Sequence, residues 1–274
     1  MKFQLKALAV AAILAATLPA QAATTSAVSG NSSLILAVYD TTANISALFD
    51  LGKDYSDFNV SGASFANSGV TNPGTSFSWN LASGDYAAAW SLFNTTATLP
   101  NIKYAVVAQD NSGLVSVAGN RGLISSYSAI AASPTSGQLA NIAGNFDSYV
   151  ADNGFAGAVT YENHSLVANG SSVSSSGKSY APTGYFGNGK NFNLGNIAAG
   201  AIGSDLGVFQ YTNAGTSTFT LATTTIFGNG AKFNLASNGS LIYSTVAAVP
   251  EADTWAMMLL GLGFMGFVAR RKQA

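Results

Sequence analysis

Both ends of this chain are apolar segments flanked by lysine or arginine, and the stretch between them, residues 23–249, is what can build a folded body. At the front, Lys2 and Lys6 precede an apolar run from Ala7 to Leu18, and Ala20-Gln21-Ala22 follows. This order predicts a signal peptide over residues 1–22, read by the export machinery and cut between Ala22 and Ala23, because the cleavage site requires small side chains such as those of Ala20 and Ala22. At the back, the 16 residues from Thr254 to Ala269 are apolar, and Arg270-Arg271-Lys272 follow. A helix of that length spans about 24 Å, against roughly 30 Å of bilayer hydrocarbon. A marginal transmembrane helix is therefore expected over 254–269, with Trp255 at its outer interface and the basic triplet holding its C-terminal end in the cytoplasm.

Immediately before that helix lies Val249-Pro250-Glu251-Ala252-Asp253. The Pro-Glu segment, the short glycine-containing helix and the terminal Arg270-Arg271-Lys272 cluster together resemble the PEP-CTERM sorting signal of Gram-negative bacteria. Ala252 stands where that family most often has a second proline. The resemblance implies that residues 250–274 are a temporary address. The membrane enzyme exosortase would recognise the Pro-Glu segment and remove the tail, by the same logic as other signals whose hydrophobic tail is lost on maturation. It also implies transient anchoring in the inner membrane, then a place on the cell surface or in the extracellular matrix, in association with exopolysaccharide.

The body carries six lysines and arginines against ten carboxylates, a net charge of −4. Nucleic acid and anionic lipid both demand basic clusters, so neither is expected as a partner. The chain contains no cysteine, although an exported protein could form disulfides. Cysteine nucleophiles, iron–sulfur clusters and structural zinc drop out with it, and no cofactor is expected.

Along the body, the apolar runs Leu34–Tyr39 and Ile45–Phe49 flank a polar link and predict a β-hairpin. Thr75–Leu81 alternates with period two and predicts a half-buried strand. Tyr86, Ala89, Trp90 and Phe93 share one helical face behind Ser83, a candidate cap. Ile102–Ala108 and Leu114–Ala118 bracket Asp110-Asn111-Ser112-Gly113 and predict a second hairpin. A second helix is expected after Pro134, with Leu139, Ile142, Phe146, Tyr149 and Val150 on its apolar side. The Ser/Gly-rich stretch 169–179 reads as a flexible connection at which the body could divide. Phe186–Leu194 recurs as Phe227–Leu235, and both copies read as glycine-turn hairpins. Strands are further expected over 206–211, 216–227 and 240–247. The fold class is mainly β: an antiparallel sandwich with one or two short inserted helices, plus the C-terminal transmembrane helix.

Chemistry is sparse in this body. His164 is the only histidine and sits outside any nucleophile-elbow pattern. Asp50, Asp54, Asp57, Asp85, Asp147 and Glu162 are the carboxylates from which a glycosidase pair would have to come, and each reads better as a turn or helix-end residue. Asp50–Asp57 lacks the spacing of a calcium loop and reads as solvated. Tyr55, Tyr127, Tyr180 and Tyr185 would suit sugar stacking if exposed, although burial is the default for aromatics. A non-enzymatic structural or binding protein is the favoured reading. A secreted carbohydrate-active enzyme acting on the exopolysaccharide is the alternative.

Overall fold

The computed structural model describes residues 24–61, 69–130, 132–153, 164–167, 170–188 and 190–247. Twelve strands run β1 (Ser33–Asp40), β2 (Ile45–Asp54), β3 (Ser76–Asn80), β4 (Lys103–Asp110), β5 (Gly122–Tyr127), β6 (His164–Val167), β7 (Ser171–Ser174), β8 (Gly200–Ala201), β9 (Asp205–Thr212), β10 (Thr223–Ile226), β11 (Lys232–Leu235) and β12 (Ser240–Ser244). The α-helices are α1 (Tyr55–Phe58), α2 (Ala87–Asn94), α3 (Ser136–Asp152), α4 (Ala181–Gly184) and α5 (Leu194–Ile197).

All pairings are antiparallel, in the order β3-β12-β11-β9-β5-β4-β1-β2-β7-β6, with β10 also on β9 and β8 on β4. The expected two-sheet sandwich is instead a single curled sheet. Its central strands are covered on both faces. Every residue of β1 is buried, and its alternate side chains divide between two cores: Leu34, Leu36 and Val38 in one, Ile35, Ala37 and Tyr39 in the other. A strand covered on both faces needs the continuous apolar run seen at Leu34–Tyr39 rather than an alternating one.

The sheet bends back over the first core. Phe58 stacks on Phe233 at 5.9 Å and meets Tyr243 edge-on at 5.0 Å. The indole N–H of Trp79, on the edge strand β3, donates to the Leu51 carbonyl of β2 at 2.7 Å, so strands far apart in the order meet across the enclosed core. Helix α2 packs there through Ala89, Trp90 and Phe93, as its spacing predicts, although the Ser83 side chain makes no capping bond. The second core lies on the opposite face, beneath α3, and contains Leu139, Ile142, Phe146, Tyr149 and Val150 as expected.

Several expectations fail for identifiable reasons. β4 pairs with β5, Asp110 opposite Gly122, and not with 114–118. Leu114 and Val117 are exposed, because side chains claim the backbone of that loop. Asp110 accepts from the N–H of Ser112, Asn213 donates to the carbonyls of Val115 and Val117, and Arg121 donates to that of Gly113. The stretch 169–179 contains the buried strand β7, paired with β2. Its serines tolerate burial by bonding internally: Ser172 donates to Asn153 at 2.6 Å, and the hydroxyls of Ser174 and Ser179 are 2.7 Å apart.

Asp50–Asp57 is no solvated loop but the end of β2 running into α1, with Tyr55 and Phe58 buried. Of the strand expected over 216–227, only Thr223–Ile226 forms. The repeat folds in two different ways. Phe227–Leu235 makes a turn and then β11, whereas in Phe186–Leu194 the segment Asn191–Asn193 is a 3-10 turn leading into α5. The transmembrane helix expected over 254–269 lies outside the described residues, and among the described residues no helix is long and apolar enough to cross a membrane.

Candidate functional site

A cleft of about 620 Å³ opens between α3 and the Asn191–Asn193 turn. One wall comes from α3, which begins with a reciprocal cap: Thr135 Oγ1 accepts from the Gln138 N–H at 3.2 Å, and Gln138 Oε1 accepts from the Thr135 N–H at 2.8 Å. Gln138, Asn141 and Asn145 then follow at i, i+3 and i+7, one stripe along the flank of the helix. The apolar side of the same helix is buried, so this polar stripe sits at the margin of the second core, where Ile142 and Ile197 line the cleft.

The opposite wall is Asn191, Phe192 and Asn193, all with left-handed backbones at φ 45°, 59° and 63°. Asparagine adopts this conformation readily, but phenylalanine does so at a cost of order 1–3 kcal/mol. The turn is held from below. Asn191 Nδ2 donates to the Tyr185 carbonyl at 2.8 Å, and Asn145 Nδ2 donates across the cleft to Asn191 Oδ1 at 2.5 Å. Tyr185 is itself fixed, stacked on Tyr149 at 5.8 Å and edge-on to Phe146 at 5.8 Å. Burial pushes its phenol well above the ordinary tyrosine range, with the negative charge of Asp147 adding to the effect. The cleft thus offers carboxamides and one aromatic ring, and among the described residues no ionisable group lines it. A smaller pocket of about 290 Å³ shares Asn145 and is lined also by Asp152, Lys178 and Lys190.

At the end of the described body, the chain leaves β12 and is tied to loops beside it. Thr245 Oγ1 donates to the Asn72 carbonyl at 2.7 Å, and the Val246 N–H donates to that of Asn229 at 2.8 Å. Val249, Pro250, Glu251, Ala252, Arg270, Arg271 and Lys272, expected from the sequence to carry sorting, lie outside the described residues, as do Ala20, Ala22 and Ala23 of the export signal. Residues 248–272 match the family model of the PEP-CTERM protein-sorting motif. The chain carries a PEP-CTERM sorting motif. No curated protein and no solved structure matches it.

The PEP-CTERM motif marks this protein for export and for processing by exosortase through a membrane-anchored sorting signal, and the matched span, residues 248–272, covers the positions expected from the sequence to carry sorting. The other residues singled out from sequence are not gathered into a site. Asp50 is buried and accepts from the Gly52 N–H at 2.8 Å, and desolvation raises its pKa above the ordinary carboxylate value. Asp57 accepts from the Asp54 N–H at 3.1 Å at the start of α1. Asp147 accepts from the Ala27 N–H at 2.5 Å. Asp85 sits in the first turn of the 3-10 helix Gly84–Tyr86. Glu162 lies outside the described residues, and His164 opens β6. Among the described residues, no three histidine or carboxylate side chains cluster as metal ligands would. Tyr55, Tyr180 and Tyr185 are buried and Tyr127 is half-buried and packed on the second core, so burial takes the tyrosines considered for sugar stacking. The cleft amides went unnoticed in the sequence. The i, i+3, i+7 spacing of Gln138, Asn141 and Asn145 was a usable signal, but nothing linked it to a turn some fifty residues onward.

Proposed function

We propose that this is an exported surface or extracellular-matrix protein, released from the inner membrane by exosortase and associated with exopolysaccharide in a structural or binding role rather than a catalytic one. The observation that carries the reading is the sorting motif at residues 248–272. Proline fixes its own backbone angle and disfavours a helical conformation at the residue before it, so a Val-Pro-Glu sequence suits recognition by a protease that binds extended chain. The last backbone tie of the body that we describe is at Val246, so this segment follows the folded part within five residues. A non-catalytic body is supported by its carboxylates: Asp50, Asp57 and Asp147 each accept a backbone N–H and so have a structural use already.

In a host with exosortase, the released protein should end near Val249-Pro250-Glu251 and lack Arg270-Arg271-Lys272, as read by mass spectrometry. Changing Pro250 and Glu251 together to alanine should leave full-length protein in the inner membrane, while Ala252→Pro should process at least as well as wild type. Normal release of the double variant, or a wild-type surface protein that retains its tail, would overturn the reading in favour of a permanent anchor.

A further inference from the structure

We propose that the cleft between α3 and the Asn191–Asn193 turn binds a neutral saccharide segment. The inference rests on the proposed association with exopolysaccharide and gives the body a place to make it.

The first argument is the chemistry of the walls. Gln138, Asn141, Asn145, Asn191 and Asn193 line the cleft with carboxamides, of which Gln138 Oε1, Asn145 Nδ2, Asn191 Oδ1 and Nδ2 and Asn193 Oδ1 also hydrogen-bond within the fold, and Phe192 supplies a half-buried ring. A carboxamide carries two donors and an acceptor with two lone pairs, which suits hydroxyl groups that both donate and accept. An aromatic face suits the apolar C–H face of a sugar ring. Among the described residues, no cation lines the cleft to hold a phosphate or carboxylate and no anion lines it to hold an amine, so the charge pattern fits a ligand without charge. The volume of about 620 Å³ is in the range of small-ligand sites, roughly 300–1,000 Å³. Asn141 is exposed and its side-chain amide has no hydrogen-bond partner among the described residues, so that amide is available.

The second argument is backbone strain, and it is independent of composition. Phe192 corresponds to Phe233 in the second copy of the repeat, where the ring is fully buried in a relaxed strand. The same local sequence, Phe-Asn-Leu behind a Gly-Asn-Gly, can therefore place its phenylalanine without strain. In the first copy the surroundings impose φ 59° on Phe192 and leave its ring only partly buried, at the cleft. A non-glycine residue kept in a left-handed backbone by its neighbours is a mark of a functional position.

The test uses the full-length protein, purified in mild detergent and titrated with neutral gluco-, manno- and galacto-oligosaccharides of several units and with an oligouronate of equal length. At least one neutral oligomer should bind, and the oligouronate should bind more weakly. Asn141→Ala should weaken binding about three- to tenfold, the size of one net hydrogen bond, with an unchanged melting temperature. Phe192→Gly, whose residue accepts the left-handed backbone, should weaken it more than tenfold while still melting cooperatively. Absence of binding to every neutral oligomer, preference for the oligouronate, or binding that both variants leave intact would each overturn the proposal. The Pro250/Glu251 double alanine variant should bind as wild type does, so normal sorting without glycan binding sinks this inference alone, and glycan binding without tail release sinks the sorting reading alone.

Discussion

Gly122 opens β5 at the point where the Tyr55 hydroxyl comes against the strand. A Cβ built there would lie 1.9 Å from the Tyr55 hydroxyl and 3.1 Å from the Tyr211 carbonyl. The hydroxyl cannot yield easily, because Tyr55 is 2% exposed and accepts a hydrogen bond from Gln210 Nε2 at 2.8 Å. Gln210 also donates to Asn59 and to the Ser61 carbonyl, so one displaced ring disturbs a shared buried network. Gly122→Ala should therefore destabilise by about 1–3 kcal/mol, as overpacking does. Urea unfolding would read this as a lower midpoint at an unchanged slope, and a neutral effect would mean that Tyr55 has room to move. Gly122 is thus required for the close approach of a neighbour, a demand set by a side chain 67 positions away in the chain and invisible locally.

At the scale of elements, cap chemistry and buried serines make separate contributions. Thr135→Ala removes the acceptor for the first turn of α3 and should cost about 1 kcal/mol. That is a fall of about 2–4 °C in melting temperature for a body of this size. Ser172→Ala should cost about 1–3 kcal/mol, because it leaves the buried Asn153 Oδ1 without its donor. Circular dichroism melts of the two variants would separate these claims, and a silent Ser172→Ala would show that the hydroxyl is dispensable in β7. The same two elements show what could be read from sequence. α3 was legible because its apolar face repeats with the helical period behind Pro134, whereas the Thr135–Gln138 box that caps it is a finding of the structure. The β1–β2 hairpin was legible from its two apolar runs. β7 was not, since Ser171-Ser172-Val173-Ser174 becomes a strand only when Asn153 and Ser179 are beside it to satisfy the hydroxyls. Nor was the divergence of the two repeats. Lys232 and Asn234 of the second copy bind the Asp205 carboxylate at 2.6 and 2.8 Å within a ladder flanked on both sides, whereas Asn191 of the first copy bonds to the Tyr185 carbonyl instead. The sorting signal is contiguous and was readable outright. The cleft joins a helix flank to a distant turn, and no local pattern announces such a meeting.

For the molecule as a whole, the sparse charges give the stability profile a defined sign. Desolvation by burial raises the pKa of Asp50, Asp110 and Asp147, and it does the same at Asp54, with the charges of Asp57 and Asp50 adding. A carboxyl group whose pKa is raised by folding is held more favourably when protonated. Its contribution is fully present below the ordinary aspartate value of about 3.9 and is lost as the pH rises through the folded value. Asp205 has the opposite sign, lowered chiefly by its hydrogen bond from Lys232, but this pair is exposed and screened by solvent. The tyrosines extend the trend at the alkaline end: burial pushes Tyr86 up to about 12, and desolvation also raises Tyr55, Tyr104 and Tyr243. Stability should therefore rise, not fall, on acidification from pH 7 to about pH 4, where many proteins lose the contribution of paired carboxylates. The melting temperature across that interval is the measurement. Asp50→Asn preserves an acceptor for the Gly52 N–H and removes the buried charge, so it should raise the melting temperature at pH 7 and flatten the profile. A wild-type melting temperature that drops steadily from pH 7 to pH 4, or an Asp50→Asn variant that is less stable than wild type at pH 7 and more stable at pH 4, would mean that the Asp50 carboxylate is stabilised as an anion by its hydrogen bonds and that burial is not what sets its titration.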